Sequence, residues 1–585
     1  MLEQFNPEKT PVDVLLFADD LTAIWYYEGR IPGESVYKDG LDNGFKQFTD
    51  KQYQEYLQEV EKLTPEKERV HHFVDQNEFC SAHHTARSYA MYKLAHELRK
   101  KGYTVQVVIH FWYHTEEDFK KIFDKFVGDN TLMVGFSQTF HSAFNPWALF
   151  HSLYMPPQRQ RKVKEWINAI NPNTKLVSGG SPHTLETLLD PLYDSAMHDM
   201  DIINVGYAEA TIFEILDDIK AGKEWPTYTD RGSRLDIKNS TMSYCDEDAI
   251  IAGDEIPLET SRGCIFSCSF CNFGLLGKEK GSYIRKQSLI QDELKRNWEE
   301  QGIYKYWVMD DTFNEDTDKL KLVAEAKHNA NIPLELSAFI RLDLQHRLKQ
   351  EQVLLDCGLV NPHYGIESLN PLNGPLIGKG WNPLEQFEYL WELKRGIFKD
   401  KVKLFSSFVV GLPEDSRESL NLFREQLLDP EFNPLDYLMV NYMYIRDLGQ
   451  HQVTTSGDQN FQQTGSKIDR NPEDYGYTFP VTEANRIQGQ TRGAVARYWR
   501  NKHGITFTGA QRFVKKLNED FNSSRGWMPK LSATYHKIPT DAKHSDYMQQ
   551  YWHKYWSKVM NLKQHTVYNS VQWVNDGEVT EFKPI

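Results

Sequence analysis

The stretch Glu259-Thr260-Ser261-Arg262-Gly263-Cys264-Ile265-Phe266-Ser267-Cys268-Ser269-Phe270-Cys271 decides how the chain is read. Its cysteines fall in a C-x3-C-x2-C pattern, so one loop offers three thiolates, with an aromatic residue directly before the last. A tetrahedral structural zinc site or a closed electron-transfer cluster takes four protein ligands. Three from one loop leave a position of the metal centre open to a small molecule. The alternative is zinc completed by a distant histidine, of which the chain has 20.

Outward from the loop, the chain reads as alternating strands and helices. Residues 255–260 form the strand that feeds the cysteines, and further strands are expected over 304–309, 334–340, 360–366, 402–410 and 435–444. Between the first two, Ser288 and Gln291 have the spacing of a capping box, Leu289, Ile290, Leu294 and Trp298 form an apolar side, and Gly302 is a stop. The other cysteines, Cys80, Cys245 and Cys357, stand alone. Six cysteines in 585 residues make no disulfide framework, so these three read as small buried hydrophobes and a second cluster is not expected.

With the strand-end motifs Asp310-Asp311-Thr312, Arg341-Leu342-Asp343, Gly365-Ile366-Glu367-Ser368 and Val409-Val410-Gly411-Leu412-Pro413, this loop resembles the radical S-adenosylmethionine (SAM) superfamily. The resemblance implies a partial (βα)6 barrel with active groups at the carboxyl ends of its strands. It also implies a 4Fe-4S cluster on Cys264, Cys268 and Cys271 whose open iron chelates SAM. An electron from the cluster then releases a 5′-deoxyadenosyl radical. The implied SAM contacts are Phe270 beside the adenine, Asp310 and Asp311 to the ammonium group, and Arg341 to the carboxylate through its fork. Glu367 and Ser368 fall to the ribose, Val409 to the adenine, and Gly411 gives clearance. The two acids could instead be solvated, and Lys379 faces either SAM or solvent. A flavodoxin- or ferredoxin-like electron donor is implied as partner.

The first 240 residues read as a doubly wound, Rossmann-like α/β domain, with strands over 12–17, 103–109, 131–137, 175–180 and 200–206 and a helix over 84–101. The turns at Gly179-Gly180-Ser181 and Gly206-Tyr207-Ala208-Glu209 resemble those of the cobalamin-binding domain that precedes many radical SAM barrels. Ser137, Gly179, Gly180 and Gly206 are then the implied cobalamin contacts on the carboxyl edge of the sheet. The Asp-x-His-x-x-Gly loop that ligates cobalt in classical domains is absent. Either cobalamin binds without that histidine or the domain shapes a substrate cleft. His71, His72, Cys80, His83 and His84 lack metal-ligand spacing and read as a polar helix start.

The expected organisation is a cobalamin-binding-like domain over 1–240, a radical SAM barrel over 250–446, a linker or mobile loop over 447–480, and a mainly helical, basic region over 481–585. Val481 to Ile585 holds sixteen Lys and Arg against eight Asp and Glu, in a chain of net charge −15. That is either a solvated face or a site for an anionic partner such as a nucleic acid. Helices are expected over 483–502, 511–521 and 545–562, the last with Tyr547, Tyr551, Trp552, Tyr555 and Trp556 as a core or interface stripe, or as a stacking platform together with Arg497, Tyr498, Trp499 and Arg500. No run of eighteen apolar residues and no leader pattern is found, so a soluble cytoplasmic enzyme without membrane association is expected. The resemblance implies cobalamin-dependent C-methylation of an unactivated carbon. The alternatives are a cobalamin-independent rearrangement, cyclisation or oxidation, or a zinc-stabilised RNA- or peptide-binding protein.

Overall fold

The computed structural model describes residues 9–18, 89–109, 116–137, 157–180, 199–229, 236–250, 255–271, 283–443, 445, 466–479, 499–525, 558–559, 571–575 and 578–582. Its first sheet contains β1 (Val14–Ala18), β2 (Val105–Ile109), β3 (Met133–Ser137), β4 (Lys175–Gly179), β5 (Ile202–Val205) and β6 (Thr227–Thr229). All pairings are parallel, in the order β2-β1-β3-β4-β5-β6. Every residue of β1 is buried, as a strand covered by helices on both faces requires. Phe17 stacks on its register partner Phe136 at 5.0 Å. Strand order reverses between β1 and β3, which puts the crevice of this sheet at the carboxyl ends of those strands, at Ala18 and Ser137. The three-residue β6 was too short to leave a pattern.

The second sheet contains β7 (Glu255–Leu258), β8 (Lys305–Val308), β9 (Glu335–Ile340), β10 (Leu359–Glu367), β11 (Phe405–Val410) and β12 (Tyr437–Tyr442). These pair in parallel in chain order, and among the described residues β7 and β12 do not close on each other. Helices Gln287–Gln301, Thr317–Ala330, Pro383–Arg395 and Arg417–Leu428 lie between strands and cover one face. Leu336, Ala338 and Ile340 of β9 are buried in the core. The alternate residues carry rings that meet across strands: Trp307 with Phe339 at 5.0 Å, Phe339 with His363 at 4.7 Å, and His363 with Phe405 at 4.0 Å. Period-two alternation therefore separates a helix-covered face from an aromatic inner face.

Three sequence expectations are corrected here. Helix Gln287–Gln301 starts at an N-cap of Lys286, which has no side-chain cap, and Ser288 falls inside its first turn. Part of the expected linker is folded: Lys467–Arg470 is helical, and Pro472–Tyr475 forms a 3-10 turn. Residues 499–502 are not helical, since Arg500 forms bridges with Thr478 and Thr506. The helix expected at 511–521 is found as Phe507–Arg525. The expected helices over 483–498 and most of 545–562, with the aromatic stripe, lie outside the described residues, as do His71, His72, Cys80, His83 and His84. An antiparallel pair, β13 (Val571–Asn575) with β14 (Glu578–Phe582), adds strand to a region expected to be helical. Its Asn575-Asp576-Gly577 is a readable hairpin signal.

Candidate functional site

The root of the cysteine loop is stitched from two sides. Ser261 bridges Ile284, Arg285 N donates to Thr260 O at 3.0 Å, and Arg262 N donates to Tyr283 O at 3.2 Å, so residues 260–262 are paired with residues 283–285 at the root of the loop. Beneath it, the Asp310 carboxylate accepts from Thr260 N (2.8 Å), Thr260 Oγ1 (2.5 Å), Ser261 N (2.8 Å) and Ser261 Oγ (2.8 Å). Lys319 Nζ lies 3.0 Å from Asp310 and 3.2 Å from Glu315, with all three side chains fully buried. Burial pulls the Lys319 pKa down, but Asp310 and Glu315 outweigh it and the net shift is upward. Asp310 is thus a strut of the loop with no face left for a ligand ammonium group, which corrects its expected role. Asp311 is half-buried, and its charge helps to raise the pKa of Tyr207, after burial and other neighbours.

The three cysteines are each half-buried. Cys264 Sγ accepts from Phe266 N at 3.4 Å and lies 3.3 Å from Thr312 Oγ1, while Cys271 N donates to Cys268 O at 3.2 Å. The far side of the loop is held by two other segments. Ser269 Oγ donates to Leu376 O at 2.8 Å, Ile468 N donates to Ser269 O at 2.9 Å, and Lys467 Nζ donates to Ser267 O at 3.0 Å. A Cβ on Gly378 would stand 3.9 Å from Cys268 Sγ. Among the described residues no three Cys, His, Asp or Glu side chains are gathered as a single-ion site. The loop itself offers three soft thiolates, a donor set whose chemistry fits a cluster with one open iron.

Arg341 ends β9 with its guanidinium 4.0 Å over the Phe266 ring. Its Nε and Nη2 donate to Asp343 at 3.0 and 2.9 Å, leaving Nη1 directed at Cys268 Sγ, 3.8 Å away. The fork expected to grip a ligand carboxylate is already occupied by Asp343, so one edge remains. At the end of β10, Glu367 is buried at φ +71°, an uncommon conformation for a residue with a side chain and one that gathers at functional sites. Burial raises the Glu367 pKa, while Lys379, 4.0 Å away, and Arg341 oppose that shift. Lys379 Nζ donates to Gly365 O at 2.9 Å. Ser368 Oγ accepts from Asn370 N (3.1 Å) and Asn373 Nδ2 (3.3 Å), so it organises the following turn. Cys268, Arg341, Glu367 and Lys379 therefore share one mouth.

The β11 end holds a second correction. Gly411 has φ +91°, and a Cβ there would stand 2.3 Å from Trp499 Cη2. The clearance expected for an adenine at Gly411 is filled by this indole. Trp499 is 1% exposed and donates Nε1–H to Met443 O at 3.0 Å, so it belongs to the core and not to a stacking platform. Tyr477 OH donates to Gly411 O at 2.8 Å, and Asn501 Nδ2 donates to Leu412 O (3.1 Å) and Asp415 O (2.8 Å). Asp415 accepts from Gly411 N at 2.7 Å and Leu412 N at 3.0 Å, and burial pushes its pKa up to about 6 against those bonds. Val409 and Phe270 are partly buried against the main core. The sequence reading missed Lys319, Asp415 and the 466–479 segment. Only the Glu315–Lys319 spacing of four residues hinted at any of them.

On the first sheet, Ser137 is buried at the end of β3, Gly179 closes β4, and Gly180 and Gly206 have φ +140° and +94°. Asn204 accepts from Thr211 Oγ1 at 2.5 Å and donates to Gly206 O at 3.2 Å, which pins the turn after β5. Among the described residues, the small side chains along this edge would allow the backbone a close approach to a large flat ligand, a fit for a corrinoid. The first turn of the helix that follows, Ala208–Ala221, reaches the cysteine loop, because Arg262 Nη2 donates to Glu209 at 3.0 Å.

No protein-family model matches the chain. It is 25% identical over 327 residues to an uncharacterized methyltransferase of Pyrococcus horikoshii, covering 52% of this chain and 65% of that one. It is 25% identical over 166 residues to bacteriochlorophyllide d C-12(1)-methyltransferase of Chlorobaculum tepidum, covering 28% and 35%. The chain thus spans less than two thirds of the curated relatives it matches. Among solved structures it is similar to the radical SAM methyltransferase TsrM of Kitasatospora setae with cobalamin and a 4Fe-4S cluster bound. There the TM-score is 0.50 at 15% identity, over 82% of this chain and 97% of that one. The chain shares that fold, and the α/β class expected from the sequence holds.

Proposed function

We propose that the chain is a radical SAM enzyme with a leading cobalamin-binding domain, acting as a C-methyltransferase on an unactivated carbon. One observation carries the reading: a three-thiolate loop sits at the carboxyl mouth of an open parallel six-stranded sheet and is tied to the carboxyl edge of a second parallel sheet. When bound, the cluster supplies the electron that splits SAM into methionine and a 5′-deoxyadenosyl radical, and cobalamin supplies the methyl group.

Cys264, Cys268 and Cys271 hold the cluster, and Phe266 and Phe270 keep water from it. Arg341, held by Asp343, would offer its remaining edge beside Cys268 to the SAM carboxylate. Glu367 accepts from the ribose hydroxyls, and Lys379 balances its charge in the buried mouth. Asp311 takes the ammonium role that Asp310 cannot, and Val409 flanks the adenine. Ser137, Gly179, Gly180 and Gly206 line the corrinoid. A radical that attacks most C–H bonds must be positioned and shielded, which the segments bonded to Ser267 and Ser269 serve. A thiolate-held cluster of this kind works in a reducing cytoplasm with a flavodoxin- or ferredoxin-like donor. Among the described residues no helix is long and apolar enough to cross a membrane.

The test is anaerobic reconstitution with iron, sulfide and hydroxocobalamin, followed by SAM and dithionite. Methyl transfer requires both 5′-deoxyadenosine and S-adenosylhomocysteine. 5′-Deoxyadenosine alone, with no corrinoid retained after desalting, would replace the reading with cobalamin-independent radical chemistry. A colourless protein with one zinc would end both.

A further inference from the structure

Arg262 stands two residues before Cys264, yet its side chain serves both sheets. Nε and Nη2 donate to Glu259, at the end of the strand feeding the loop, at 2.6 and 3.0 Å. Nη2 also donates to Glu209, in the first turn of helix Ala208–Ala221 after β5, at 3.0 Å, and the guanidinium lies 5.1 Å over the ring of its N-cap Tyr207. The Arg262, Glu209 and Glu259 side chains are 19%, 20% and 7% exposed, so one cation joins two carboxylates largely out of water.

Both ends of this clamp are rigid. On the barrel side, Arg285 Nη1 donates to Glu259 O at 2.8 Å, and Thr260 and Ser261 are bonded to buried Asp310. On the other side, Asn204 and Thr211 pin the start of helix Ala208–Ala221, where Tyr207 and Glu209 lie. A displacement of either sheet edge against the other must break the fork, and its planar geometry is one that lysine does not reproduce.

We infer that Arg262 is a positioning residue that fixes the corrinoid edge of the first sheet against the root of the cluster loop and so sets the separation of the two cofactors. The inference rests on the function proposed above and adds to it the element that couples its two halves. Reactions between held groups are sensitive to placement at the ångström level. Arg262 is not among the residues proposed above to hold either cofactor, so its loss should spare binding of both while altering their spacing.

The experiment uses full-length protein reconstituted with cluster and cobalamin, and compares wild type, Arg262→Gln, Glu209→Gln and, as a control, Lys164→Gln, which breaks the separate Lys164–Asp201 pair at 2.8 Å. After reduction, the electron paramagnetic resonance signal of cob(II)alamin reports its interaction with the reduced cluster, which falls with the cube of their separation. Expected is wild-type iron and corrinoid content in these four proteins and in a fifth, Arg262→Lys. Arg262→Gln and Glu209→Gln should show altered splitting, with S-adenosylhomocysteine formed per bound corrinoid on the order of tenfold more slowly. Lys164→Gln should match wild type. Arg262→Lys should recover part of the rate, since the charge remains while the fork is lost. Wild-type splitting and rate in both Arg262→Gln and Glu209→Gln would overturn the inference while leaving the proposed function standing. A wild type that binds no corrinoid would overturn both. If Arg262→Gln does not fold, the milder Glu209→Gln decides.

Discussion

Gly411→Ala is the sharpest probe of how the C-terminal segment is built into the barrel mouth. The new methyl group would meet Trp499 Cη2 at 2.3 Å and Cζ2 at 2.8 Å, both atoms of a rigid buried ring. Trp499 has little room to withdraw, with Tyr477 at 5.4 Å, Phe507 at 6.1 Å and its indole N–H bonded to Met443 O. Overpacking of this kind costs roughly 1–3 kcal/mol. The positive φ of +91° adds a backbone cost for alanine of about 1–2 kcal/mol. Together Gly411→Ala should destabilise the protein by about 2–5 kcal/mol. Trp499→Ala alone should cost roughly 3–5 kcal/mol through its cavity. In that background the clash is gone, so Gly411→Ala should cost only the backbone part, about 1–2 kcal/mol. The assay is urea unfolding of the four proteins of this double-mutant cycle, followed by far-UV circular dichroism. A cost for Gly411→Ala that is the same with and without Trp499, within about 0.5 kcal/mol, would refute the contact.

Other outcomes follow from the same geometry. Lys319→Met leaves Asp310 and Glu315 buried without their cation and should cost about 3–5 kcal/mol, read as a lowered urea midpoint. Arg341→Lys keeps a charge near Cys268 but loses the fork held by Asp343; iron content should be retained while SAM affinity, measured by equilibrium dialysis, falls roughly 10- to 100-fold. The Asp415 carboxyl, with a pKa pushed up to about 6, binds its proton more tightly folded than unfolded. Its contribution is therefore fully present below the ordinary carboxylate pKa of about 4 and is lost as pH rises through about 6. Wild type should gain about 1 kcal/mol from this group between pH 7 and pH 5, and Asp415→Asn should lack that gain in parallel urea titrations.

The sheets were legible because parallel strands buried on both faces leave dense apolar runs, as in Val14-Leu15-Leu16-Phe17-Ala18. The cysteine loop was legible because its three thiols fall within eight residues of sequence. Roles that depend on partners far along the chain were not. Asp310 reads as a strand-end acid until Lys319 and the two hydroxyls of Thr260 and Ser261 are seen to consume it. Arg341 reads as a free fork until Asp343 closes on it. Gly411 lies 88 residues before Trp499, and no periodicity links them. The segment at 466–479 was hidden for a related reason: Ile468 and Tyr477, which it buries in the core, are too widely spaced to make a helix or strand period, and Ile468 N meets Ser269 O across nearly two hundred residues.

The most direct measurement is 5′-deoxyadenosine formation by anaerobically reconstituted protein given SAM and dithionite, with wild type and Cys268→Ala side by side. Wild type should bind four irons and release 5′-deoxyadenosine, and Cys268→Ala should release none. Equal release by both proteins, or a wild type that carries iron and leaves SAM intact, would contradict the assignment of the three-cysteine loop as the SAM-cleaving centre.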